Sequence, residues 1–529
     1  MAENINYLYQ YLEKENIIIN KFEFKFQIES HPDYPGILAI TDTLSFFDIN
    51  NGVLKVEASE IDLLPDNFLT LLACKNNTSQ FYLIEKKGDI YYISEKKNKE
   101  IISKSELEFR WKGMVLLVEK SEEQTVIDGK NKNWFWLLPA LCTISFIIVV
   151  LQFPISILTK SFFFFPILGI LFSIAVMKDL FQTEIVVLNR FCNMTSSSNC
   201  STVVNSKKWK IFDFLSFSDL SIILFCSQFF ALLLFLFMND SISYFSIQKT
   251  ILMGSISVLL ISIYYQKFVA KKWCPLCLVI GSIILLELIY IEQVLQITIE
   301  LSLQALIVFQ FIFLSTCLFW FAIKKLLIQQ NILKEFQIKS NRFIRSYEIF
   351  KNNLLASESI EHMPILSEET IILGNPEAPL RILIVTSPFC GFCAEAHAKI
   401  EEIVNKYDNV CFNIHFNYNE ANDDLKSQKI HQLLVSIYLN HGQQSFINVI
   451  NDWYKDMEIN KLDSWESSVN DNPNINLILA RQFQWNQLNH IKFTPSIIIN
   501  GYFLPKQYNI SDLIYFINDL SEDDDLNKN

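Results

Sequence analysis

Between residues 134 and 327 the chain is a succession of apolar runs, at roughly 134–158, 161–181, 215–237, 247–266, 275–295 and 301–323. Each is about as long as the ~20 residues needed to cross a hydrocarbon core. Backbone polar groups in that medium must be satisfied within the segment, so runs of this kind are expected to be helices. The pattern therefore predicts a polytopic α-helical bundle of six crossings. Trp134, Trp136, Trp209 and Trp273 lie near the proposed ends, where interfacial anchors belong. Pro154, Pro166 and Pro275 are tolerable near helix ends or inside a packed bundle. Charged residues concentrate on either side of the block, so two soluble regions flank it. The formal charge of −12 offers no basic face for nucleic acid. The opening MAENINYLYQYLEKEN has no apolar core of the secretory type, so insertion is expected to be directed by the internal segments.

Eleven cysteines in 529 residues do not make a disulfide scaffold. Six of them nevertheless fall into three close pairs: Cys192 and Cys200 on a polar loop, Cys274 and Cys277 in KKWCPLCLVI, and Cys390 and Cys393 in SPFCGFCAEAH. Cys142, Cys226 and Cys317 lie inside apolar runs, where packing explains them. Cys74 and Cys411 read as single strand residues. A lone C-x-x-C is also half of a zinc site, but no second pair follows in the last domain, so no metal is expected. Disulfide chemistry belongs on a noncytosolic side. If the 184–214 loop faces outward, Cys274/Cys277 and the tail after 327 face outward too. The same parity puts residues 1–130 outside if the first run spans.

The flanks read as two different folds. Residues 1–130 form a small α+β domain, with a Pro/Gly turn at His31–Gly36 and then a helix carrying Ile37, Ile40, Leu44 and Phe47 on one face. The runs LKVEA, FLTLLACK, SQFYLIEKKGDIYYIS and MVLLVEK follow as strands, with KKGD as a hairpin turn. His31 reads as a capping or turn residue. Residues 328–368 are a polar, helical linker. Residues 369–519 read β-α-β from LRILIVTS, with a helical insertion over about 422–487. KFTPSIIINGYFLP is then strand, turn and strand, SDLIYFINDL a closing helix, and 520–529 a solvated acidic tail.

The CGFC run sits after a strand and at a helix start, where free backbone N–H groups favour a thiolate. Cys390 is then the attacking thiol and Cys393 the resolving one. His397, one turn on, is close enough to tune the thiols, but an ordinary surface helix histidine is the expectation. This segment resembles thioredoxin-like domains of the bacterial disulfide-exchange type. The resemblance assigns Thr494-Pro495 to the cis-proline position beside the redox pair, where substrate peptide would bind.

Two further resemblances concern the rest of the chain. The block 161–323, with Cys192/Cys200, Cys274/Cys277 and Ser206, is similar to the vitamin K epoxide reductase family and its bacterial quinone-linked homologues. Seven residues separate Cys192 and Cys200, wider than that family's usual loop spacing. The stretch from His31 to about Val118 resembles the papain-like C39 peptidase domain of bacteriocin exporters. No cysteine precedes Cys74, and the strand start that should carry the histidine reads Gln80-Phe81. A cysteine protease needs its thiolate and base together, so this copy is read as catalytically dead.

Together the resemblances imply a multi-pass protein of the bacterial inner membrane, a quinone-dependent thiol–disulfide oxidoreductase. Electrons would pass from reduced exported proteins or peptides to Cys390/Cys393, then Cys192/Cys200, then Cys274/Cys277, and finally to menaquinone or ubiquinone. Ser206 would contact the quinone, and Cys277 would lie nearer the bundle interior than Cys274. A reductive or isomerase relay is the first alternative. The second is an accessory factor that binds leader peptides for a peptide ABC exporter. With no GxxxxGK[ST] loop, the chain is not expected to be the exporter's ATPase.

Overall fold

The computed structural model describes residues 2–73, 79–88, 90–95, 98–120, 134–181, 210–212, 215–360, 370–421, 423–457 and 474–526. The chain divides into two compact units, Met1–Val126 with Gln337–Asn529, and Ile127–Phe336. Cys74, Cys192, Cys200, Ser206 and Trp209 lie outside the described residues.

The N-terminal domain is α+β. Strands β1 (Asn50–Lys55), β2 (Asn67–Ala73), β3 (Ser79–Lys87), β4 (Ile90–Glu95), β5 (Asn98–Ile102) and β6 (Trp111–Glu119) form one sheet in the order β1-β6-β2-β3-β4-β5. All its pairings are antiparallel. The β3–β4 hairpin turns at the KKGD element, with Gly88 at φ 61. The expected helix runs Ile37–Phe46 and buries Ile40 and Leu44. Helices Ala2–Lys14 and Lys21–Glu29, and strand β5, are additional to the sequence reading. His31 is a turn residue: its Nδ1 accepts from the Asp33 N–H at 3.2 Å and its Nε2 lies 3.1 Å from Asp42.

The membrane-spanning unit has five helices long and apolar enough to cross a bilayer: Ile157–Val176, Ser218–Phe237, Ser241–Val269, Pro275–Leu295 and Leu303–Ile344. Trp134–Gln152 is also helical, although its described apolar stretch, Leu137–Gln152, is shorter than these. A ribbon of β7 (Lys210–Phe212) and β8 (Leu215–Ser216) precedes the second of the five. Gly169 lets two spans approach closely, because any side chain there would collide with the Phe225 ring. The last helix differs from the expected crossing at 301–323. It continues through the polar linker to Ile344 because no Gly or Pro interrupts residues 303–344.

The C-terminal domain carries a five-stranded sheet of β9 (Ile371–Gly374), β10 (Leu380–Thr386), β11 (Val410–Phe416), β12 (Ser496–Ile499) and β13 (Tyr502–Phe503), in the order β13-β12-β10-β11-β9. Only β10 and β11 pair in parallel, and helix Gly391–Lys406 connects them. The β12–β13 turn is Asn500-Gly501, both at positive φ (47° and 86°), as a two-residue hairpin loop requires. The expected insertion supplies helices Leu425–Asp456, kinked at Gly442, and Asn474–Leu488. Two boundaries differ from expectation. Phe350 and Leu354 of helix Tyr347–Leu355, assigned to the linker, lie in this domain's core. The acidic tail is docked as far as Leu526, which is buried, because Asp523 accepts from the Tyr347 hydroxyl and the Lys351 ammonium, each at 2.6 Å.

The N- and C-terminal domains touch within their common unit. Lys406 donates to Phe46 O at 2.6 Å and pairs with Asp48 at 3.1 Å. The Arg345 guanidinium donates to Gln27 Oε1 and the Tyr515 hydroxyl, and covers the Tyr515 ring at 3.8 Å. Arg342 donates to Glu29 O and covers Tyr34.

Candidate redox site

Strand β10 ends at Thr386, and four residues later Cys390 caps the helix that opens at Gly391. The Cys393 N–H donates to Cys390 O at 3.0 Å, so the second cysteine lies in the first turn. The helix buries Cys393, Ala396, His397, Ile400 and Ile403, a run at helical spacing that faces the core. Cys390 is half-buried and Cys393 fully buried. The Cys390 Sγ lies 3.2 Å from Thr494 O, its hydrogen-bond acceptor, and the Thr494–Pro495 peptide is cis. Phe392 is 79% exposed and Phe493 66% exposed, one on each segment of the site.

Electrostatics separates the two thiols. Burial works against Cys390 ionising, but hydrogen bonds from the Thr494 side chain, the Cys393 thiol and the Cys393 and Phe392 backbone outweigh it, and its pKa falls below the ordinary thiol value. Burial pushes Cys393 up to about 11 despite a hydrogen bond to the Thr386 side chain. A reachable thiolate beside a protected thiol is the arrangement needed for attack and resolution.

Of four residues that support this pair, Trp453, Tyr454 and Thr386 were not singled out in the sequence. Trp453 Nε1 donates to Pro388 O at 2.7 Å, and the Tyr454 hydroxyl donates to Ser387 O at 3.1 Å. Both come from helix Leu425–Asp456 and pin the loop that presents Cys390. Thr386 and His397 meet behind Cys393 at 3.1 Å. His397 is therefore not the expected surface residue: it is 3% exposed, because its position four residues after Cys393 places it on the same buried face.

The other described pair belongs to the membrane unit. Cys274 and Cys277 form a disulfide with Cα atoms 5.3 Å apart. Cys274 is the N-cap of helix Pro275–Ile289, and the Cys277 N–H donates to its sulfur at 3.2 Å. The Cys274 N–H donates to the Gln266 side chain at 2.9 Å, a buried residue of the π-helical turn Tyr265–Ala270. The burial order differs from expectation: Cys274 is fully buried and Cys277 partly exposed. As N-cap, Cys274 is tied down under the preceding turn, whereas Cys277 lies on the helix surface. Deeper in this unit, Gln228 donates to the buried Glu287 at 3.1 Å. Among the described residues, no three His, Cys, Asp or Glu side chains are grouped as metal ligands.

A thioredoxin family model matches residues 366–519. The catalytic domain of Proteus mirabilis ScsC is similar at 16% identity, over 29% of this chain and 89% of its own, with a TM-score of 0.26. Oxidised BdbD from Bacillus subtilis is similar at 14% identity, over 32% and 100%, with a TM-score of 0.26. The thiol-disulfide exchange protein α-DsbA2 from Wolbachia pipientis is similar at 13% identity, over 33% and 92%, with a TM-score of 0.24. No curated protein matches the chain. The chain thus joins an N-terminal α+β domain and a helical membrane-spanning region to a C-terminal thioredoxin-like domain.

Proposed function

We propose that the chain is a quinone-linked thiol–disulfide oxidoreductase that forms disulfides in exported proteins or peptides. The observation that carries this reading is the asymmetric Cys390–Cys393 pair, one thiol reachable at a helix head and one buried behind it. A reduced substrate attacks the Cys390–Cys393 disulfide, with Thr494 and Pro495 aligning the peptide. Cys192/Cys200, Cys274/Cys277 and Ser206 complete the route to the bilayer, in the order their resemblance implies.

The described surroundings of the membrane pair suit a lipid-soluble acceptor. Cys277 is partly exposed on a span, and its neighbours Trp273 and Leu278 are exposed apolar residues. A bound quinone would supply a sink for two electrons from the Cys274/Cys277 dithiol. Gln266 holds the Cys274 backbone in place at that edge.

The contacts of Lys406, Arg345 and Arg342 with the N-terminal domain support one side of the membrane for both soluble domains. An even number of crossings then requires Trp134–Gln152 to join the five longer helices as a sixth span. We assign that shared side to the extracytoplasmic face, where thiol oxidation persists.

The reading is tested by adding a reduced thiol protein to membranes that contain the chain and quinone. Quinol should appear with the wild-type chain and not with Cys390→Ala or Cys274→Ala. Exchange that continues without quinol formation would instead favour the reductive or isomerase role.

A further inference from the structure

Helix Leu303–Ile344 is twice as long as a bilayer requires. Its 42 residues rise about 63 Å, against about 30 Å of hydrocarbon. Polar residues begin at Lys324 and Lys325, where the second half of the helix leaves the hydrocarbon. That half still carries large apolar side chains on its surface. Phe319, Leu326, Leu333, Phe336 and Phe343 are each 64–69% exposed. They fall on two rows with a seven-residue repeat, Phe319-Leu326-Leu333-Ser340 and Ala322-Gln329-Phe336-Phe343. This repeat keeps both rows on one side of a gently supercoiled helix. The chain itself occupies the other side. Trp320 and Lys324 donate to Asp219, Asn331 donates to Leu180 O at 3.1 Å, and Arg342 donates to Glu29 O. At helical spacing these four residues lie about half a turn away from the two rows.

We propose that this face pairs with the same face of a second copy of the chain, as a parallel two-stranded coiled coil that starts in the membrane and continues beyond it. The inference does not depend on quinone chemistry; it requires only that the helix spans. Insertion in one bilayer holds two copies parallel, so each row position meets its own counterpart across a two-fold axis. Leu326, Leu333, Phe336 and Phe343 then pack against themselves. Gln329 meets Gln329 among apolar neighbours, where paired amides fix the register. The flanks are compatible with this register. Lys325 faces Gln330 of the second copy, Ile332 faces Gln337 and Lys339 faces Ile344, so no like charges meet. In the membrane half, Ser315 and Ala322 are small and exposed on the same side, which lets the two backbones approach.

The area available matches what a stable pair needs. Phe319, Phe336 and Phe343 are about two-thirds exposed, which offers about 300–500 Å² per copy from these rings alone. Leu326, Leu333 and the neighbouring Ile332, also exposed, bring the stripe toward the ~800 Å² per partner of a standard interface. A lipid surface does not fit the same stripe. An interfacial helix buries its apolar face along the plane of the bilayer, whereas these rows continue the axis of a span and rise away from it. The helix leads into Tyr347–Leu355, whose Phe350 and Leu354 lie in the core of the C-terminal domain. Pairing would therefore tether the thioredoxin-like domains of two copies to one stalk.

The test is photocross-linking of the full-length chain in membranes, with products mapped by mass spectrometry. Gln329→benzoylphenylalanine should link to the matching stretch of a second copy. Glu335→benzoylphenylalanine, at nearly the same height but off the two rows, should not. Adding Leu333→Glu and Phe336→Glu together should cut the link from position 329 by about tenfold or more, the scale of losing buried anchors. Both positions are exposed in a single copy, so the double variant should keep the wild-type rate of Cys390 alkylation, which checks its fold. Links from position 329 only to lipid or to a different protein overturn the pairing. So does a link between copies that is equally strong from position 335, or that the double variant leaves undiminished.

Discussion

The two described dithiols share a spacing and a position but not an environment. Both are C-x-x-C pairs whose first cysteine caps a helix. In the thioredoxin-like domain the first cysteine is reachable and the second is buried; in the membrane unit the first is buried and the second is partly exposed. The spacing fixes only that the two sulfurs can join. What surrounds the cap decides which sulfur meets a partner. In the proposed route that partner would arrive from water as protein in one case, and from the apolar side of a span in the other.

The largest effect should come from removing the reachable thiol. Cys390→Ala should abolish exchange with any thiol partner while leaving the Cys274–Cys277 disulfide in place, as checked by peptide mapping. Exchange that survives in this variant would remove the distinction between the two pairs.

Next in size is the chemical asymmetry within each pair. Cys390 lies below the ordinary thiol value of 9.0 and Cys393 at about 11. At a pH below both, the thiolate fraction of Cys390 should exceed that of Cys393 by about a hundredfold or more, since each pKa unit is about a factor of ten. Alkylation by iodoacetamide, followed from pH 6 to 11, should show Cys390 labelled first. Cys390 labelling should saturate before Cys393 labelling rises, because a lowered thiol pKa moves the thiolate to lower pH. In the reduced membrane pair the order should reverse, with Cys277 ahead of Cys274.

Smaller effects should come from the groups that hold each cap. Trp453→Phe leaves Pro388 O without its donor and should cost about 1–3 kcal/mol of domain stability, measured by thermal unfolding. Gln266→Leu should cost a similar amount by stranding the Cys274 N–H. That second change should weaken oxidation of the membrane pair without altering Cys390 alkylation. The smallest change is expected at the domain contact. Lys406→Ala should lower stability by about 1 kcal/mol or less, since its partner Asp48 is well exposed.

Much of this contrast was legible in the sequence and part of it was not. The strand before CGFC and the helix after it are local patterns that the structure forms at the expected place. The apolar runs are helical, although among the described residues five rather than six are long enough to span, and the last runs on past its expected end. Thr386, His397 and Tyr454 were not legible as a group. Tyr454 lies more than sixty residues after Thr386, and only the packing of its helix, Leu425–Asp456, against the sheet joins them. His397 was misplaced for a related reason. AEAHAKIEE reads as a polar helix start, and the buried face emerges only when Cys393, His397 and Ile400 are aligned with the core. The burial order of Cys274 and Cys277 depends on the π-helical turn that carries Gln266, which no run of residue types announces. The uninterrupted helix to Ile344 was hidden by its composition, since polar and apolar halves of one helix resemble a span followed by a linker.

The exchange reading is tested most directly by trapping in membranes with Cys393→Ala. With the resolving thiol gone, Cys390 should accumulate as a mixed disulfide with its protein partners, released by reductant and absent from Cys390→Ala. Wild-type Cys390 should return to the oxidised form in a quinone-dependent manner. Cys390 that remains fully reduced and unlinked in the presence of partner and quinone would contradict the reading.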